Sequence, residues 1–237
     1  MVYREASAPE RLRGLAECLW TVRGPRRSRI LPDGCMDLID MDGVVLVAGP
    51  DTEAFDSEQH CEVVRGIRFR PGVLPRLLGV PAAEVRNHRV ALRDLRPDAT
   101  GDTALEATTG LLAGAPSREA APWPLAQLHE VTARLAGGAE VGALADELGW
   151  SARTVQRQCT AAYGYGPSMV RRVLRFRRAV GMVRAGTAVA DAAARAGYAD
   201  QPHLYRDVRE FAGVPLGQLC SGANKSTEVP SGSVTVA

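Results

Sequence analysis

Two short stretches of the chain gather the side chain types that hydrogen-bond to base edges and phosphates. Arg153, Gln156 and Arg157 make up the first, and Gln201, His203, Arg206 and Arg209 the second. A guanidinium fork bridges a guanine edge or holds a phosphate, and a glutamine amide pairs with adenine. The chemistry needs these groups side by side on a narrow face. On a helix, Arg153, Gln156, Arg157 and Thr160 fall within a sector of about 100°, opposite Val155 and Cys159. In the second stretch Leu204, Val208 and Phe211 form the apolar stripe, which leaves the polar four outward or at the leading end. His203 has the chemistry of a metal ligand or a base. No partner His or carboxylate pattern surrounds it in the sequence, so it is grouped with the groove contacts.

Each stretch must be presented by a second element, and the sequence supplies the same one twice. Val141, Leu144, Ala145 and Leu148 share a helical face, Gly149 ends that helix, and Ser151 is placed to cap the next, with Thr154 in its first turn. Val189–Ala196, Gly197 and Asp200 repeat the arrangement, with Pro202 tolerated in the first turn. The two glycines lie 48 positions apart, and each is followed by an aromatic residue, Trp150 or Tyr198. Both copies read as helix-turn-helix units. The supporting helix of the second, Asp191–Ala196, is alanine-rich and is expected to bury little.

Between the copies, Pro167–Ala185 carries an apolar stripe at Met169, Val173, Phe176, Val180 and Val183. Arg171, Arg175 and Arg178 lie opposite it and are candidate phosphate contacts. A helix over these residues spans about 28 Å at about 1.5 Å per residue. Major-groove faces recur about every 34 Å, so one stiff helix suits two reading heads one turn apart. Phosphate contacts would supply affinity and the recognition helices sequence.

The first hundred residues read differently. Glu17–Val22, Cys35–Met41, Val44–Ala48 and Val63–Arg70 are expected strands, with Asp42-Gly43 as a hairpin turn. Ile67 and Phe69 alternate with Arg68 and Arg70, the pattern of a half-buried strand. Short helices are expected over 73–78 and 102–112. This gives an α+β N-terminal domain on a small, mainly antiparallel sheet, followed by an all-α C-terminal domain of two helix-turn-helix units joined by a helix. The expected division is a domain over 1–112, an Ala/Gly/Pro-rich linker over 113–124, a DNA-binding domain over 125–219 and a disordered tail over 220–237. Charge follows the same division: residues 1–140 hold 17 Arg against 20 Asp and Glu, and residues 141–220 hold 11 against 6.

Five widely spaced cysteines, Cys18, Cys35, Cys61, Cys159 and Cys220, form no C-x-x-C pair and favour neither a disulfide framework nor a zinc site. Reduced, mostly buried thiols are the expectation, with a thiol redox sensor as an alternative. No run of about 18 apolar residues and no signal-peptide pattern is seen. A cytoplasmic, nucleoid-associated protein is therefore expected, without a metal or cofactor.

The segment Leu144–Arg157, Gly164-Tyr-Gly-Pro167 with Arg175–Ala179, and Ala194–Arg206 with Phe211–Pro215 resemble the AraC/XylS family of bacterial transcription regulators. The resemblance implies that Ser151, Arg153, Thr154, Gln156 and Arg157 serve one major groove, and Gln201, His203, Arg206 and Arg209 the next. Cys159 and Val208 stand where the family commonly has Phe, which implies looser cores there. Leu31–Ile39, Val47–Pro50 and Gly66–Gly72 resemble the N-terminal domain of a subset of these regulators, which implies a sensing or dimerising role and the cupin-like β architecture of many members. Trp20, Cys35, Arg68 and Arg70 are candidate ligand-pocket residues. The implied partners are promoter or operator DNA, a small-molecule effector, a second copy of the chain, and RNA polymerase if the protein activates; no membrane is implied. A DNA-repair methyltransferase with a zinc-held cysteine and a helical protein–protein adaptor are the competing classes, and the cysteine spacing speaks against the first.

Overall fold

The computed structural model describes residues 2–114, 119–220 and 227–228. The N-terminal half is a two-layer β structure with helices on one side. Strands β1 (Val2–Ser7), β2 (Ala16–Arg23), β4 (Met36–Met41), β5 (Val44–Ala48), β7 (Val63–Phe69) and β8 (Arg89–Ala91) pair antiparallel in the order β1-β2-β7-β4-β5-β8. A smaller layer pairs β3 (Arg26–Ile30) with β6 (Phe55–Gln59), and the two-residue β9 (Thr227–Glu228) lies parallel on β3. The hairpin at Asp42-Gly43 has positive φ at both residues, 50° and 75°, as a turn matched to strand twist requires.

The strand period sorts the large sheet into two different faces. Leu38, Val47, Ile67 and Phe69, which are in register across β4, β5 and β7, are fully buried. They pack toward α1 (Leu74–Leu78) and α3 (Ala104–Leu112). Trp20, Asp37, Ile39, Leu46 and Arg68 occupy the other face and line a cavity together with Ser28, Ile30, Phe55 and Ser57 from the small layer. Arg68 is thus not on a solvated face, as half-buried alternation would place it. It is 7% exposed, because the small layer covers this side of the sheet. That layer gave no apolar signal: β3 and β6 are polar strands held by cross-strand ion pairs, Arg27–Glu58 at 2.8 Å and Arg29–Asp56 at 2.7 Å.

The rest is helical: α2 (Leu92–Leu95) precedes α3, and α4 (Leu125–Ala136), α5 (Val141–Glu147), α6 (Ala152–Tyr163), α7 (Pro167–Arg184), α8 (Val189–Ala196), α9 (Gln201–Ala212) and α10 (Leu216–Cys220) follow. One continuous cluster of buried apolar side chains runs from Leu38 and Phe69 through Trp123, Leu128 and Tyr163 to Phe176 and Phe211. The segment expected as a linker contributes to it. Trp123 is fully buried and stacks on Trp150 at 5.9 Å, and its carbonyl accepts a 2.8 Å bond from Arg76. Apart from Cys220 and β9, the tail expected to be disordered lies outside the described residues.

Candidate DNA-reading surface and N-terminal cavity

Two helix–turn–helix units are built the same way. Gly149 at φ 65° follows α5 and Gly197 at φ 86° follows α8, both in the left-handed region where a Cβ is costly. Ser151 Oγ then accepts from Thr154 N at 3.2 Å, and Asp200 Oδ1 accepts from His203 N at 2.7 Å, so each second helix starts on a side-chain cap. Val155 and Cys159 on α6, and Leu204, Val208 and Phe211 on α9, are fully buried. Cys159 and Val208, where the family commonly has Phe, are shielded from solvent like their neighbours. Alanine-rich α8 likewise buries what it has: Ala192, Ala193 and Ala196 are at most 2% exposed against α7. Small side chains there let the two helices cross closely, and these three methyl groups are the side chains that α8 buries.

The outward faces carry Arg153, Gln156 and Arg157 on α6, and Gln201, Arg206 and Arg209 on α9, all exposed. Among the described residues, the guanidinium groups of these four arginines have no hydrogen-bond or ion-pair partner. Gln156 is folded back, its amide lying against Gly166, where an added Cβ would come within 2.3 Å of it. Thr154 is half-buried in the first turn of α6. Tyr205, 45% exposed, shares the α9 face with Gln201 and Arg209. Sequence reasoning passed over it, although its offset of four from Gln201 places it there.

His203 is not a free reading residue. Its Nε2 lies 3.1 Å from Arg175 Nη2, and its ring stands edge-on to Tyr198 at 5.0 Å. Arg175, which also lies 4.2 Å over the Tyr198 ring, belongs to a network around Asp207, which is 3% exposed and accepts from Arg172 at 2.8 Å and Arg175 at 3.0 Å. Burial raises the pKa of this carboxyl, but the bonds from Arg172 and Arg175 outweigh that and hold it below the ordinary value.

This network changes the reading of the connecting helix. Arg171 donates to Glu140 at 2.9 Å and to the Ala139 carbonyl at 3.3 Å, just before α5. Arg178 donates to the Ala196 carbonyl at the end of α8 at 2.7 Å. Arg172 and Arg175 hold α9 through Asp207, and Arg172 also pairs with Glu210 at 2.6 Å. Arginines expected to face phosphate are therefore occupied: α7 uses them to fix both units. Its apolar surface is also wider than the expected stripe, because Val170 and Leu174 are buried as well as Val173, Phe176 and Val180. The extra width faces the N-terminal half, where Leu174 Cδ2 lies 3.2 Å from the Cβ position of Gly34.

The cavity between the β layers is about 320 Å³. Three of the four expected pocket residues, Trp20, Cys35 and Arg68, line it. Arg70 does not; it donates to the Arg13 carbonyl at 3.4 Å, at the end of β7 where the strand has left the cavity. The indole of Trp20 lies flat on Gly66, its cross-strand partner, where a Cβ would sit 2.3 Å from the ring. Charged groups cluster at one end. Arg68 Nε lies 3.4 Å from Asp33 and Nη2 lies 3.1 Å from Asp37, while Arg89 forms a separate two-bond pair with Asp51 at 2.6 and 2.8 Å. Burial pushes the Asp37 carboxyl up to about 6 against the opposing pull of Arg68. Asp33 and Cys35 have a second neighbour, Arg177 of α7, which reaches the Asp33 carbonyl and Cys35 Sγ at 3.4 Å each. Arg177 is anchored by two bonds to Glu17 of β2, at 3.0 and 2.5 Å.

The comparisons with known proteins divide along the same line. Residues 144–221 match a family model described as a helix-turn-helix domain. Residues 4–91 match a second model, described only as a domain of unknown function, DUF6597. No curated protein matches the chain significantly. Solved structures of ToxT from Vibrio cholerae match over most of the length. One covers 85% of this chain and 95% of ToxT at 8% identity and a TM-score of 0.43. A second covers 93% and 98% at 10% identity and 0.47. A third, of ToxT bound to (E)-4-(8-methylnaphthalen-1-yl)but-3-enoic acid, covers 93% and 98% at 8% identity and 0.48. The matched helix-turn-helix domain begins within α5 and takes in α6 to α10.

The thiols are not activated. Burial pushes Cys18 and Cys159 up to about 12 and Cys35 well above its ordinary value. Cys61 is raised first by its bond to Asp42, and Cys220 by burial. A redox-sensing thiolate needs the opposite shift. Among the described residues no group of three or more His, Cys, Asp or Glu is placed to hold a metal ion, and no helix is long and apolar enough to cross a membrane.

Proposed function

We propose that the protein is a sequence-specific transcription regulator that inserts α6 and α9 into successive major-groove segments of one DNA duplex, under the control of a small effector in the N-terminal cavity. One observation carries the reading. Two matched units expose Arg153, Arg157, Arg206 and Arg209 without partners among the described residues, while Arg171, Arg172, Arg175 and Arg178 of α7 are engaged in holding those units. Ser151 and Thr154 set the start of the first reading helix. Arg153 and Arg157 read bases from it, and Gln156 joins them once released from Gly166. Gln201, Arg206 and Arg209 read from the second, with His203 positioning α9 through Arg175 rather than reading alone. With α7 about 27 Å long, at 18 residues and about 1.5 Å each, the spacing suits adjacent groove faces about 34 Å apart.

Control runs through the Asp33–Cys35 turn, which belongs to the cavity wall and to the docking site of α7 at once. A ligand that moves Asp33 moves the partners of Arg177, on the helix that sets the two units. Genome-wide mapping of bound DNA, followed by gel shifts of the recovered sites at rising salt, tests the function. Specific binding that weakens steeply with salt supports it; no enriched sites, or no salt dependence, would leave the adaptor reading in its place.

A further inference from the structure

The cavity wall holds buried atoms of opposite character that the protein leaves unpaired: the donors Arg68 Nη1, Arg68 Nε and Trp20 Nε1, and the acceptor Asp37 Oδ1. Arg68 Nη2 donates to Asp37, Nε lies 3.4 Å from Asp33 without a hydrogen bond, and Nη1 has no partner. Asp37 accepts from Arg68 through Oδ2, and its Oδ1 has no partner either. Leaving a buried donor or acceptor unsatisfied forfeits its hydration with nothing in return, and the loss is greater when the group is charged. Buried polar groups in folded proteins are nearly always paired, so an orphan in a cavity wall calls for an occupant. Here the occupant must accept from Nη1 and donate to Oδ1 of one ion pair.

Charge narrows the class. Arg89 and Asp51 form their own closed pair, which leaves Asp33 and Asp37 around a single guanidinium. An anion on Nη1 would sit beside two carboxylates. A cation on Oδ1 would leave Nη1 without an acceptor and stand against Arg68. A neutral head with both functions satisfies both atoms. The remaining walls are apolar or aromatic: Trp20 lies flat on Gly66, and Ile30, Ile39, Leu46 and Phe55 stand around it. The volume of about 320 Å³ is at the small end of ligand sites, which run from about 300 to 1,000 Å³.

We propose that the cavity binds a small neutral molecule with a flat apolar body and a planar head that both accepts and donates hydrogen bonds: a carboxamide, lactam or ureide. The class rests on the reading of the cavity as an effector site. Four matched probes separate the two: phenylbutanamide, methyl phenylbutanoate, phenylbutanoate and phenylbutylamine, titrated calorimetrically into the full-length protein and into Leu46→Trp, which fills the cavity. The amide is expected to bind about tenfold tighter than each of the others, and Leu46→Trp, folded by circular dichroism, to abolish its binding. If the ester, acid or amine binds as tightly as the amide and Leu46→Trp removes it, the class is overturned and the effector site stands. If no probe binds and a crystal structure shows only water on Arg68 Nη1 and Asp37 Oδ1, both are overturned.

Discussion

The contact between the cavity wall and α7 makes a quantitative prediction. Arg177 and Glu17 share two hydrogen bonds, at 3.0 and 2.5 Å, with side chains 14% and 17% exposed. Glu17→Gln keeps the shape and removes the charge. The amide oxygen still accepts one bond, but its NH2 then faces a guanidinium donor. Arg177 is left buried without a counter-charge, with that one bond and the longer contacts to the Asp33 carbonyl and Cys35 Sγ, each at 3.4 Å. Breaking a buried pair by removing one partner costs about 3–5 kcal/mol, and the residual exposure here places the loss near about 3. For a chain of this size that lowers Tm by about 6–12 °C. The double variant Glu17→Leu/Arg177→Met removes both charges and is expected to recover most of the loss, because an apolar pair of similar volume is close to neutral. Urea denaturation of wild type, Glu17→Gln and the double variant at pH 7 measures this. The reasoning fails if Glu17→Gln lies within about 0.5 kcal/mol of wild type, the behaviour of an exposed pair. A folded Glu17→Gln protein is further expected to bind its DNA sites but to lose any effector-dependent change in affinity.

Three further outcomes follow from the geometry. Asp207→Asn strips Arg172 and Arg175 of their shared carboxylate and is expected to cost about 3 kcal/mol; because that carboxyl is held below its ordinary pKa, the loss shrinks as pH falls toward 3, and a cost that grows with acid would contradict the network. Asp37 behaves in the opposite way: raised from 3.8 to about 6, its ionisation opposes folding. Wild-type stability should therefore drop relative to Asp37→Asn by up to about 3 kcal/mol between pH 4 and 7, and a wild type that gains on the variant over that range would show that pairing with Arg68 prevails. Gly66→Val drives a side chain into the Trp20 ring and should destabilise by about 1–3 kcal/mol, with an altered near-ultraviolet tryptophan signal. An unchanged signal at unchanged stability would mean that the indole does not rest on that strand.

The helical half was largely legible because local signals and packing agree there. Gly149 and Gly197 with their caps Ser151 and Asp200 mark the turns, and the apolar stripes of α6 and α9 fix which arginines face outward. The roles of Arg171, Arg175 and Arg178 were not legible. A helical wheel separates polar from apolar faces, but it cannot tell a guanidinium that meets water from one that meets Asp207 or a helix-end carbonyl. His203 was misjudged for the same reason, since its partners Arg175 and Tyr198 come from other elements. In the N-terminal half the hairpin at Asp42-Gly43 and strands β2, β4, β5 and β7 carried their own pattern. β3 and β6 did not, because charge pairs across strands replace the usual apolar alternation. Trp20, Cys35 and Arg68 were named as pocket residues, but without that second layer the far wall of the cavity and the burial of Arg68 could not be derived.

The central claim is that α6 and α9 read separate segments of one site. Selection of bound sequences from a random DNA pool, with wild type, Arg157→Ala and Arg206→Ala in parallel, tests it most directly. Wild type should select two conserved segments about one helical turn apart. Each variant should lose about 1–3 kcal/mol and relax specificity in one segment only, a different one for each. Relaxation of the same positions by both variants, or unchanged selection by either, would contradict the bipartite reading.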